Sequence, residues 1–385
     1  MRDGPPLVVL VLGGTAERSG TPAEASPLAL APTPQLDSLA RDGRVLGVRL
    51  IEDEAHVGTA APLLSILGYD PAEHETSPAS YLGSAQGEKL VDEECYCCAD
   101  FISLFRETVA DIEPGPLRPA EAEALMSVAA TAIQRAGFRL IRHGASHHLA
   151  IAPRASVDER VPPTFCLPGS LFGQFPPRTE QHAFAHRIAR DALDRHEINE
   201  VRRDLGGNGW DALWIWGPGG VPEFKEQGRG EEEWSAHGSH PLWRAVCQSA
   251  GIRLGTGAGT PASLLKAVTR SLKKDRVVFI YLRRGVRDAF LRELRLRVHG
   301  IADLDRRVIG PLADVVAKAG ARLLVLPDSA WETGFGRPKS DPVPALIWGK
   351  GIESLRELPF TEAGAALAGE PIAPGFGLVE YVRSL

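Results

Sequence analysis

The stretch HVGTAAPLLSIL, residues 56–67, places the hydroxyl of Thr59 directly before an apolar run with helical spacing. A hydroxyl at that position can cap a helix by accepting from an otherwise orphaned amide. It can also take up a phosphoryl group, because helix amides and the helix dipole stabilise phosphate there. Residue type alone favours the cap. EDEAH, residues 52–56, lies just upstream and supplies three carboxylates and a histidine. A charge run of this length reads first as a solvated loop.

Three strand-like runs end in residues of chemical interest. LVVLVL (7–12) turns at Gly13-Gly14, with no carboxylate, lysine or serine at the turn. The spacing is not that of a phosphate-binding P-loop. VVFIYL (277–282) runs into Arg283 and Arg284. Ligands of open α/β sheets bind at the carboxyl ends of strands, where two guanidinium groups could hold an anion without a metal. RLLVLP (322–327) is followed by Asp328-Ser329.

Other clusters read as structural. Gly255, Gly257 and Gly259 precede a helical run, but Thr260 stands where a dinucleotide fingerprint needs its third glycine, and no acidic residue follows at the right distance. Cys95, Cys97 and Cys98 fall on a strand-like segment whose alternation puts the first two on one face and the third on the other. Zinc needs four ligands, commonly in CxxC pairs, so buried thiols are the simpler reading. His147 and His148 point to opposite faces of a strand and cannot easily chelate one ion.

These residues need elements to hold them. Strands are expected at 7–12, 44–51, 147–153, 212–217, 277–282, 322–327 and 344–349. Helices are expected between them, including PQLDSLARDG, AEAEALMSVAATAIQRAG, HAFAHRIARDALDRH, ASLLKAVTRSLKK and an arginine-rich one from about 286 to 298. Several strands are apolar on both faces, which predicts a mainly parallel sheet sandwiched by helices. The polar, glycine-rich stretch 228–240 reads as an exposed loop. Residues 86–175 carry the cysteine cluster and proline-rich loops and read as an inserted smaller α+β domain, with 1–85 and 176–385 forming the core.

The 385 residues, 44% hydrophobic and 24% charged, are those of an ordinary globular chain. A formal net charge of −6 gives no electrostatic case for nucleic acid or an anionic membrane. No apolar run reaches the length of a transmembrane helix, the N-terminal residues lack a signal peptide's pattern, and five cysteines, three of them clustered, fit a reducing cytoplasm.

Three segments together resemble the archaeal-type, cofactor-independent phosphoglycerate mutases of the alkaline phosphatase superfamily. They are TPQLDSLARDG (33–43), LLSILGYDP (63–71) and KSDPVPALIWGKGI (339–352), with weaker echoes in HEINEVRRDLG, ALWIWGPGGVPEF and IADLDRRVIGPL. Their order and spacing match across almost the whole chain. The resemblance implies an alkaline phosphatase-like α/β core and an inserted cap or substrate-type domain. It also implies two divalent metals (manganese, zinc or magnesium) and a serine that carries phosphate between the 3- and 2-hydroxyls of phosphoglycerate.

Against that pattern the sequence departs at the metal ligands. Gly13 stands where the family places an Asp ligand, Thr59 where it places the nucleophilic serine, and Ser329 where it places a histidine after the surviving Asp328. The Asp-Glu-Ala-Gly-His run expected after VVFIYL is replaced by RRGVRDAFLRELRLRVHG, and Cys98 falls near the family's phosphate-reading arginine. Two close cations need several hard ligands to offset their charge. The expectation is therefore a degenerate member without the two-metal reaction, without a resident cofactor, acting by binding a phosphorylated small molecule or a protein partner. The alternative is a rebuilt enzyme in which Thr59 is the nucleophile and Asp328, with Asp53, Glu54, His56 or Asp341, holds one metal. Arg283 and Arg284 are the expected anion ligands, whereas Arg292, Arg295 and Arg297 are expected on a helix's solvent face.

Overall fold

The computed structural model describes residues 4–112, 114–115, 117–144, 147–158, 169, 171–174, 176–224, 234–255, 259–283, 289, 293–332 and 334–385. They divide into two compact units. One comprises Met1–His74 with Glu223–Leu385, the other Glu75–Pro222.

The first unit is built on a seven-stranded sheet. From edge to edge its strands are Arg253–Leu254, Trp234–His237, Val277–Leu282, Leu7–Leu12, Arg322–Leu326, Val343–Gly349 and Arg44–Val48. Only Val343–Gly349 runs against the rest. Leu7–Leu12 is central because all six residues are apolar and can be buried on both faces. It pairs in parallel with Val277–Leu282 on one side and Arg322–Leu326 on the other. That pairing fixes the register of the site: Leu12 lies beside Leu282 and Val11 beside Leu326, so Gly13, Arg283 and Asp328 all follow the same end of the sheet.

The expected polar loop at 228–240 is overturned in its second half. Trp234–His237 is a buried strand between two others, and residues 228–233 lie outside the described residues. Its alternation Trp-Ser-Ala-His is weakly apolar. The strand is held by sheet pairing and by His237 Nε2, which lies 3.1 Å from the Ser271 hydroxyl. The arginine-rich helix also shifts: the described helix is Leu294–Leu304.

The second unit is wider than 86–175. Strand Glu94–Phe105 pairs antiparallel with Thr108–Asp111, with His147–Pro153 and with Ala212–Gly219; Arg139–Ile141 adds to His147–Pro153. Helices Pro119–Gln134 and Glu180–Asp194 bury one apolar face in a core with Phe101, Phe138, Trp210 and Leu213. A boundary at 175 would strip the unit of strand Ala212–Gly219 and of two helices, Glu180–Asp194 and Glu197–Asp204, and one at 86 would remove helix Pro78–Gln86. Cys95 and Cys97 do share a face, with sulfurs 3.9 Å apart inside this core, and His148 is buried against Phe101. Among the described residues no helix is long and apolar enough to cross a membrane.

One cap crosses the first unit. Asp305, 1% exposed, accepts from the amides of Gln35 (3.0 Å) and Leu36 (2.8 Å), the first turn of helix Pro34–Asp42. Burial pushes its carboxyl above the usual range while those two bonds pull it down. Asp305→Ala leaves two amides without this acceptor and should lower stability by about 1–3 kcal/mol. Urea unfolding should show a lower midpoint at unchanged slope, with Asp305→Asn intermediate because one oxygen still accepts.

Candidate active site

The Gly13-Gly14 turn, Tyr281, Arg283 and Asp328 meet at the carboxyl end of the central strands. Gly13 receives its place from the sheet, its amide donating to Leu282 O at 2.9 Å. Gly14 turns the chain in the left-handed region (φ 77°), where glycine carries no steric penalty. Asp328 accepts from the Gly14 amide (3.2 Å) and the Ser329 hydroxyl (3.2 Å) on one oxygen, and from the Tyr281 hydroxyl (2.7 Å) on the other. Burial and then the Asp328 charge push the Tyr281 phenol well above its ordinary pKa, with Arg283 opposing. The phenol is therefore a neutral donor to a carboxylate.

This cluster decides what a side chain at Gly13, the expected ligand position, would meet. A Cβ added to Gly13 would lie 3.1 Å from Asp328 Oδ2, 3.2 Å from Tyr281 Oη and 3.3 Å from Arg283 Cα. A side chain there meets atoms already packed around Asp328. Tyr281 was not singled out from sequence. Its alternation with Phe279 showed only that it faces one side of the strand, not that Asp328 lies opposite.

Beside the cluster opens a cavity of about 350 Å³, lined by Gly238, Ser239, His240, Pro241, Leu264, Tyr281, Leu282 and Arg283. Tyr281 in its lining is backed by the buried Trp243, stacked with ring centres 5.4 Å apart, and His240 meets the same ring at 5.8 Å. Pro241 opens helix Pro241–Ser249 at its rim. The exposed Arg283 brings a guanidinium to this wall. Arg284, Arg287, Asp288 and Arg292 lie outside the described residues.

Behind the turn sits a residue placed wrongly by sequence. Arg297 is not on the solvent face; it is 1% exposed. It donates to the carbonyls of Gly14 (3.0 Å) and Ala16 (3.0 Å) and pairs with the Glu17 carboxylate. Glu362 accepts from the Glu17 amide (2.8 Å) and the Ser26 hydroxyl (2.7 Å), with burial raising its carboxyl pKa. The signal was present: Arg297, Ile301 and Leu304 recur at helical spacing and are the buried residues of their helix.

Thr59 behaves as a turn residue. Its hydroxyl donates to His56 O (2.5 Å) and accepts from the Ala61 amide (3.2 Å), after Gly58 in the left-handed region. The helix that follows, Ala61–Ile66, is six residues long. Of the other carboxylates expected to hold a metal, Glu54 pairs with Lys339 at 2.8 Å and Asp341 accepts from the Ser19 amide at 3.0 Å. Among the described residues no three His, Cys, Asp or Glu side chains form a group able to hold a metal ion. Among the described residues, the donor set at Asp328, one carboxylate with the Tyr281 and Ser329 hydroxyls, does not by itself fit a two-metal centre. The glycine run at 255–261 ends in an ordinary cap, Thr260 accepting from the Ser263 amide (3.2 Å), with Gly257 outside the described residues.

A mainly parallel α/β core with a second, antiparallel unit is a fold this chain shares with cofactor-independent phosphoglycerate mutases. The chain is a distant homologue of these enzymes over nearly its whole length. It is 25% identical to a 2,3-bisphosphoglycerate-independent phosphoglycerate mutase of Methanothrix thermoacetophila, covering 97% of this chain and 98% of that one. It is also 25% identical to the corresponding enzyme of Pyrococcus abyssi, covering 94% and 92%. No family model matches the sequence. Among solved structures, a Pyrococcus horikoshii protein superposes with TM-score 0.71 at 20% identity, covering 99% of this chain and 97% of that one. The cofactor-independent phosphoglycerate mutase of Thermoplasma acidophilum does so with TM-score 0.54 at 17% identity, covering 99% of both.

Two substitutions test this site. Arg297→Met strands the Glu17 carboxylate in the interior and should destabilise the fold by about 3–5 kcal/mol, read as a fall in the urea midpoint. Gly13→Asp supplies the carboxylate expected from the resemblance but forces it against Asp328. It should lose about 1–3 kcal/mol and gain no stoichiometric manganese by elemental analysis.

Proposed function

We propose that this mutase-like protein does not run the two-metal phosphoryl transfer and instead binds a phosphorylated small molecule at the strand ends, with Arg283 and Arg284 as anion ligands. The observation that carries this reading is the closed Gly14–Asp328–Tyr281 cluster, in which hydrogen-bond donors occupy the carboxylate that a metal would need. The cavity beside Arg283 offers a cation, a hydroxyl at Ser239 and an imidazole at His240, a set suited to a phosphomonoester. The second unit, Glu75–Pro222, would serve as the cap or substrate-type domain. Buried free thiols at Cys95, Cys97, Cys98 and Cys247 are in keeping with a reducing cytoplasm. A protein partner is the other occupant to test, and neither nucleic acid nor membrane is proposed.

The decisive measurement pairs metal content with ligand binding. After incubation with manganese, zinc or magnesium and removal of excess, the protein should retain no stoichiometric metal. Inorganic phosphate and 3-phosphoglycerate should bind without metal by calorimetry. Arg283→Ala should weaken that binding roughly tenfold, the loss expected for one charge-assisted contact, while Thr59→Ala leaves it unchanged. Two metals per chain, with mutase turnover abolished by Thr59→Ala, would replace this reading with a rebuilt phosphoryl-transfer enzyme.

A further inference from the structure

In the second unit, two histidines one turn apart meet both backbone polar groups of a single residue, Ile215. His182 and His186 lie on helix Glu180–Asp194, and Ile215 lies on strand Ala212–Gly219. In an antiparallel ladder the N–H and C=O of one residue point to the same side of the strand. At Ile215 both meet imidazoles: His182 Nε2 lies 3.2 Å from the carbonyl oxygen, and the amide lies 3.2 Å from His186 Nε2. The imidazoles thus stand where a further strand would place its own amide and carbonyl.

The partners fix the protons. A carbonyl only accepts, so His182 Nε2 carries hydrogen. An amide only donates, so His186 Nε2 carries none, and a neutral His186 holds its proton on Nδ1. His182 Nδ1 lies 2.5 Å from Asp158 Oδ1. Burial acts to raise the Asp158 carboxyl, but its bonds from the Arg178 amide and from His182 outweigh this and hold its pKa below the usual range. With Nε2 donating to a carbonyl and Nδ1 facing a carboxylate, both nitrogens of His182 meet acceptors, the arrangement of an imidazolium. The clasp is dry, with His182 fully buried and His186 5% exposed. The surrounding groups are Phe138 against His182, and Phe172 and Trp214 against His186. The charges nearby are Asp158, the neighbouring His182 itself (ring centres 4.9 Å apart) and Arg190, which lies over Phe172 and pairs with Glu107.

We propose that this clasp is a proton-operated latch on strand Ala212–Gly219. A proton added to His186 Nε2 removes the acceptor of the Ile215 amide and sets a second cation beside the His182 imidazolium. The latch is then held at neutral pH and released as pH falls through the range where histidine titrates. Asp158 acts in the same direction further down: a carboxyl whose pKa is depressed by the fold contributes stability that is lost as pH drops through its folded value.

Amide hydrogen exchange at Ile215 in the full chain tests this. Corrected for the intrinsic rate, protection should fall tenfold or more from about pH 7.5 to about pH 5, the effect of orphaning one buried donor. His186→Gln supplies a carbonyl oxygen near the position of Nε2 that cannot be protonated, and should abolish that fall. Equal protection of the wild type at both pH values, or an unchanged fall in His186→Gln, overturns the proposal. If that variant does not fold, imidazole nitrogen shifts of the wild-type chain decide. His182 should be protonated on both nitrogens and His186 on Nδ1 alone at neutral pH, and a proton on His186 Nε2 there overturns the latch.

Discussion

The buried guanidinium of Arg297 is the interaction on which the first unit's strand-end loop depends. It binds two carbonyls and one carboxylate of the segment Gly14–Glu17, and Glu362 fastens the same segment from the C-terminal side through the Glu17 amide. Three stretches far apart in sequence are thereby fixed to one charge. Burying that charge requires the pairing to be complete, because an unpaired ion in a dry interior is far more costly than a surface one. The loop that opens the site therefore has little freedom to reshape around a metal, and the parallel bridge of Ala16–Glu17 to Ala330–Glu332 holds its far end.

Given that fixed loop, the chemistry at Asp328 follows from counting donors. Its two oxygens receive an amide, a serine hydroxyl and a tyrosine hydroxyl. A divalent cation at Asp328 would have to displace these donors, and among the described residues Asp328 has no second acid grouped with it to hold a metal. Arg283 is a cation in the wall of the neighbouring cavity. In the proposed reading this inverts the field at the site: a phosphorylated molecule would meet a protein cation in place of a metal, without the Lewis acidity that drives phosphoryl transfer. Homology to the mutases and this inversion are compatible, since a fold carries ancestry whereas function resides in the site.

How much of this was legible in the sequence depended on periodicity. Leu7–Leu12, His147–Pro153 and Val277–Leu282 are unbroken apolar runs or runs with clear flanks, and they form strands where the runs stand. Trp234–His237 was missed because two of its four residues are polar; sheet neighbours, not its own pattern, make it a strand. The unit boundaries were missed because pairing of Ala212–Gly219 with Glu94–Phe105 joins segments more than a hundred residues apart. At the site, the apolar runs before them were enough to put Gly13 and Asp328 at the same end of the sheet. Tyr281 was not legible in that way, because its role exists only across the sheet register. Arg297 was misplaced because an arginine defaults to solvent unless its position on the apolar stripe is given more weight than its charge.

The two buried polar clusters differ in a way their residue types dictate. In the first unit the cation is a guanidinium, which does not lose its proton in a folded protein, so the Arg297–Glu17 lock holds its charge throughout the neutral range. In the second unit the gripping groups are imidazoles, whose charge changes near neutrality. His182 is already paired with an acid and resists deprotonation through that pair, whereas His186 contributes only while a nitrogen lone pair is free. Arginine in one place and histidine in the other means that the cation behind the first unit's loop keeps its charge under moderate acidification, whereas the second unit's edge strand is coupled to it. No difference in fold stability is needed for that contrast; it follows from which side chain holds the proton.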